Sequence, residues 1–118
     1  MKRLSVVSCV LGLCVVASAC AGTPPPTDRM ASAEAAVRAA RELGADQIPR
    51  AQLHLQLAQE DIGRARKLMK DGENQRADYL LQRAAADAEL GVALARYEAA
   101  RRGAAMQQQN MGAGGGQW

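Results

Sequence analysis

Between residues 30 and 95, small and aliphatic side chains recur at alternating steps of three and four, and this spacing constrains the chain more than any other feature. Ala51, Leu55, Ala58, Ile62, Ala65 and Met69 are separated by 4, 3, 4, 3 and 4 positions. Ala77, Leu81, Ala84, Ala88, Gly91 and Ala95 alternate in the same way, and Met30, Ala33, Val37, Ala40 and Gly44 step by 3, 4, 3 and 4. At about 3.6 residues per turn, each set lies on one stripe of an α-helix, whereas a half-buried strand needs a period of two. Three such helices can hide their stripes only against one another. The expected fold is therefore all-α, an antiparallel helical hairpin or three-helix bundle, with Leu55, Ala58, Ile62, Ala65 and Met69 facing Ala77, Leu81, Ala84 and Ala88.

The residues between the stripes punctuate them. Gly44 suits the left-handed position that ends a helix, Asp46 is expected to cap the next, and Pro49 fits its first turn. Asp71-Gly72 breaks the second stripe, and Asn74 offers a cap for a third helix running to about Arg102. Leu53, Leu57 and Leu68 broaden the second stripe, and Glu34, Arg38 and Glu42 form an i, i+4 ladder on the first helix. Phe is absent and only Tyr79, Tyr97 and Trp118 are aromatic, so the core must be thin and built largely from alanine and aliphatic residues. The third helix is expected to outreach the second. Its Ala-rich end, with Val92, Leu94 and Tyr97, is expected to be covered by the first helix, with a partner surface as the alternative. Residues 103–118, rich in Gln and Gly and ending in Trp118, bury too little apolar surface to offset ordering and are expected to be disordered.

The N-terminus has a different grammar. Lys2 and Arg3 precede a mainly apolar run of thirteen residues from Leu4 to Val16, and Ala17-Ser18-Ala19 supplies small side chains before Cys20. That is the plan of a secretory signal, in which the peptidase needs small residues before the cut. Cys9 and Cys14 fall within this leader, so Cys20 is the only cysteine of the expected mature chain. Val16-Ala17-Ser18-Ala19-Cys20 resembles the lipobox of bacterial lipoproteins, with Ala17 where Leu is usual. The resemblance implies cleavage between Ala19 and Cys20 and lipidation of the Cys20 thiol. It also implies that Ala21, in place of the Asp that retains lipoproteins in the inner membrane, sends the protein to the outer membrane facing the periplasm. An uncleaved membrane helix and an ordinary signal peptide remain the alternatives. The expected organisation is a leader over 1–19, a lipidated cysteine and Pro-rich tether over 20–27, a helical domain over 28–102 and the tail. Pro24-Pro25-Pro26 favours polyproline II, and the tether would reach only about 20 Å.

Charge and chemistry exclude several classes. The net charge of +3 falls to +1 once Lys2 and Arg3 are set aside, leaving 13 basic against 12 acidic residues, and the arginines alternate with acids, so no nucleic-acid face is expected. His54, the sole histidine, has no cysteine or carboxylate cluster at metal-ligand spacing and lies at the edge of the second stripe. Ser32 has no base nearby, and no phosphate-binding glycine loop follows a strand. Glu60-Asp61 and Asp87/Glu89 read as solvated carboxylates with Arg64 and Arg83 as partners. No catalytic residue, metal, cofactor or small-molecule substrate is expected.

Gly44-Ala45-Asp46-Gln47-Ile48-Pro49, Leu53 through Ala58 with Ala65-Arg66, and Ala77 through Ala88-Glu89-Leu90 carry a resemblance to a bacterial family, domain of unknown function 4398, over Ser32 to about Arg102. The family occurs in envelope lipoproteins, sometimes ahead of peptidoglycan-binding modules, and supplies no catalytic residues; no such module is read in this sequence. Ala65 to Ala84, with Gly72 at its turn, also looks like one tetratricopeptide hairpin. These likenesses imply a lipid-anchored, non-enzymatic helical envelope protein with a structural or assembly role, through self-association or an envelope protein partner. The alternative is a peptide-binding adaptor using the groove between the second and third helices.

Overall fold

The structure, a computed structural model, describes residues 22–114. Ala19, Cys20, Ala21 and the rest of the leader, together with residues 115–118 including Trp118, lie outside the described residues. The described chain is all-α: α1 spans Thr27–Glu42, a 3-10 turn Ala45–Gln47, α2 Pro49–Lys70 and α3 Asn74–Gly114.

Each boundary has a local cause. Pro26 (φ −80, ψ 59) makes an inverse γ-turn, closed by a bond from the Thr27 amide to the Pro25 carbonyl, rather than continuing the expected polyproline II. Its own carbonyl then accepts from Met30, the first bond of α1. At the other end the chain turns at Gly44, φ +76, a conformation costly for any residue with a Cβ. Ile48 is extended, as residues before proline are, and Pro49 opens α2 where a missing N–H costs nothing. No side chain caps α2, so Asp46, the expected cap, sits inside the 3-10 turn instead. At the end of α2 the Glu73 amide bonds the Leu68 carbonyl and the Gly72 amide bonds Met69, the paired bonds of a Schellman motif around Gly72 at φ +76. The Glu73 carbonyl accepts the first bond of α3, from Ala77. Asn74, the expected cap, therefore stands inside the helix, and its Nδ2 donates to the Thr23 carbonyl at 2.7 Å.

The two short connections make α2 antiparallel to both neighbours, so α1 and α3 run the same way. Arg29 accordingly pairs with Asp78 at one end, and the Ala40 side chain lies beside Gly91 at the other. The α2–α3 pair forms the most extensive interface, and α1 rests more on α3 than on α2. The seam is made of small residues: among the described residues, ten of fourteen buried apolar side chains are alanine, the others being Val37, Leu55, Ile62 and Leu81. Alanine on both sides lets helices approach toward the short end of the usual separation of about 8–10 Å.

Leu53 and Leu57 are 54% and 41% exposed, so they do not widen the buried stripe; only Leu68 is partly buried against the core. Nor does the chain become disordered after Arg102: α3 continues through residues 103–114. The bundle has already paid the nucleation cost, and Ala104, Ala105, Met106 and Gln107 to Gln109 propagate a helix well. With 41 residues, α3 is about 62 Å long, against about 33 Å for the 22 residues of α2.

Candidate functional site: the hairpin face and the projecting end of α3

Leu55, Ala58, Ile62 and Ala65 on α2, and Ala77, Leu81, Ala84 and Ala88 on α3, are buried in one apolar cluster, with Met69 half-buried at its rim. Gly91 belongs to the same seam. A Cβ there would meet Ala40 Cβ and the Ala51 carbonyl oxygen at 3.7 Å and Leu55 Cγ at 3.8 Å, which is ordinary contact, so close approach does not require glycine.

Beside this seam run two polar links between α2 and α3. Asp61 is 2% exposed, and its carboxylate takes two parallel bonds from the Arg83 guanidinium, Nε to Oδ2 and Nη2 to Oδ1, each 2.5 Å. Arg64 Nη1 stands 3.7 Å from Oδ1. The hydrogen bond and charge of Asp61 raise the Arg83 pKa above its ordinary value, so the guanidinium stays charged throughout any physiological range. Further from the turn, two helical turns along α2 and one along α3, His54 Nδ1 lies 2.9 Å from Asp87 Oδ1, both groups part-buried. Sequence spacing missed both links. It gave Glu60 and Asp61 the partner Arg64, which does stand beside both, and gave Asp87 and Glu89 the partner Arg83, but partners more than twenty positions apart leave no mark in i, i+4 spacing. Glu34 was likewise placed in a ladder with Arg38 and Glu42, but it pairs with Arg66 of α2 and ties α1 to the hairpin.

These pairs bridge the helices. Among the described residues no group of three or more His, Cys, Asp or Glu side chains could hold a metal ion. Nor is any described helix long and apolar enough to cross a membrane.

Among the described residues, two surfaces have no intramolecular partner. On the hairpin, Leu53, Leu57 and Leu90 are exposed, and a shallow cleft near the α2–α3 turn is lined by Leu68, Gln75, Arg76, Tyr79 and Leu80. The larger surface is the end of α3. Ala95 is the last buried residue among the described ones; from Arg96 to Ala113 every side chain is exposed except Glu98, which is half-buried. Val92 and Leu94 pack against the core, but Tyr97 is 60% exposed, with Arg101 over its ring at 5.8 Å. The first helix was expected to cover this region. The core, to which α1 contributes Ala33, Val37 and Ala40, reaches Val92 and Leu94 but leaves Tyr97 exposed. The projecting segment carries Arg96, Arg101 and Arg102 near its base, then a neutral stretch with Met106 and Met111 exposed.

No curated protein and no solved structure matches this chain. A family model described as domain of unknown function (DUF4398) matches residues 28–108, which spans the whole bundle and the base of the projection, and the chain belongs to that family.

Proposed function

We propose that this protein is a lipid-anchored, non-enzymatic helical component of the cell envelope, held through Cys20 and acting by protein contacts in envelope structure or assembly. The observation that carries this reading is the length of α3 beyond Ala95. That segment buries almost none of its own side chains, so it adds little to the stability of the bundle. Contact with another molecule, whether a second copy or an envelope protein, gives it a use. The small residues before Cys20 support the anchor, and Ala21 supports an outer-membrane position facing the periplasm. Two or more acyl chains, each methylene contributing about 0.8 kcal/mol, would make attachment effectively permanent.

A second reading, a periplasmic peptide-binding adaptor, is favoured by the exposed Leu53, Leu57 and Leu90 on the hairpin face. Sedimentation of the mature, unlipidated chain separates the two. The structural role predicts oligomers that are lost when residues 103–118 are removed, and the adaptor predicts a monomer. The anchor has its own check in Cys20→Ser, which should abolish acylation and release the protein from membranes. Retention after a high-salt wash, with the leader intact, would replace the lipid anchor with an uncleaved membrane helix.

A further inference from the structure

The place where the N-terminal tether meets the bundle determines which way the molecule faces. Thr23 is fastened to the bundle: its carbonyl accepts a 2.7 Å bond from Asn74 Nδ2, at the first residue of α3. The γ-turn at Pro26 and the pair between Arg29 and Asp78 hold the next residues along the same end. Cys20 precedes Thr23 by three positions, a covalent reach of at most about 11 Å. The α2–α3 turn, Asp71 to Glu73, is at this end, while the exposed segment of α3 leaves from the other.

We infer that the protein stands on the lipid surface on its α2–α3 turn, with α3 directed away from the bilayer and its far end about 60 Å from the headgroups. This inference rests on lipidation at Cys20 and adds to it an orientation and a contact surface. Lys67, Lys70 and Arg76 at the turn end are nearly balanced by Asp71 and Glu73. Non-specific attraction to anionic lipid is therefore weak there, and the short fastened tether sets the orientation. The surface presented to a partner then stands well clear of the membrane, although the tether alone spans only a fraction of that distance.

The test uses the lipidated full-length protein in vesicles of phosphatidylethanolamine and phosphatidylglycerol that carry an energy-transfer acceptor on a small fraction of headgroups. A donor is placed through Asp71→Cys in one sample and through Met111→Cys in another, and acylation of Cys20 is established by mass spectrometry in both. With an acceptor of about 50 Å transfer distance, the donor at position 71 should be strongly quenched and the donor at 111 only weakly. Asn74→Ala, which frees Thr23, should bring the two efficiencies closer together. Equal and strong quenching at both positions in acylated protein means that the bundle lies flat, and overturns the orientation while leaving the anchor intact. An unmodified Cys20 overturns the anchor, and the orientation with it. Stronger quenching at 111 than at 71 reverses the assignment.

Discussion

Asp61 and Arg83 show how a polar pair behaves at the edge of an alanine seam. The carboxylate is 2% exposed and depends on the guanidinium across the hairpin for both of its strong bonds. Removing one member of such a pair leaves the other with its desolvation uncompensated, whereas replacing both with apolar groups of similar size is often neutral or better. Arg83→Met should therefore lower the urea midpoint clearly more than Arg96→Met, which touches only the exposed base of the projection. The double variant Asp61→Leu/Arg83→Met should recover most of the loss. If the single variant melts like the wild type, Arg64 at 3.7 Å is a sufficient partner and the pair is not what fixes the hairpin. The sequence made both residues visible but not their pairing. Asp61 carries the same charge as Glu60 beside it, and only the fold turns one inward while the other stays exposed and bonds Arg64.

At the scale of the helix, steps of three and four located the buried stripes on all three helices, because that spacing is a property of the helix and not of its neighbours. The same spacing puts Leu53, two residues from both Ala51 and Leu55, about 200° from the stripe and Leu57, one residue from Ala58, about 100° from it. Hydrophobicity favours Leu53 and Leu57 for the interior, yet the interior takes Ala51 and Ala58 and leaves the leucines out. Closely set backbones leave room for a methyl group at those positions and not for an isobutyl. Two substitutions separate the faces. Ile62→Asp places a charge in the seam, at a cost of several kcal/mol, and should largely unfold a domain with only about 5 kcal/mol in hand. Leu57→Asp, on a 41% exposed position, should shift stability by about 0.5 kcal/mol or less. Circular dichroism with urea melts reads both; a comparable loss at Leu57 would mean that a second molecule already covers the hairpin face in solution. Capping shows the same limit of local reading: Gly44 and Gly72 take the left-handed positions that their residue type suggests, while Asp46 and Asn74 are displaced because the chain around them turns one or more residues away from where a cap would stand.

The whole molecule is a short three-helix bundle with a long single helix leaving one end, and composition misjudged that end because it treats a segment as though it had to fold alone. A Gln- and Gly-rich stretch of about fifteen residues would not hold a helix in water by itself, since its nucleation is unfavourable by about a thousandfold. Joined to α3 it needs only propagation. Gly103 and Gly112 each cost about 1 kcal/mol against alanine, and the alanine, methionine and glutamine between them are among the better helix formers. Truncation after Arg102 tests this directly. The residues removed bury no described side chain, so the urea midpoint should stay within about 0.5 kcal/mol of the full-length value. The longest dimension measured by small-angle scattering on the unlipidated monomer should shorten by about 18 Å, the rise of the twelve helical residues from Gly103 to Gly114. A lower midpoint, at a concentration where the full-length chain is monomeric, would show that this end folds back on the bundle. An unchanged length would show that it is not extended, and the surface that α3 offers to another molecule would then stop near Arg102.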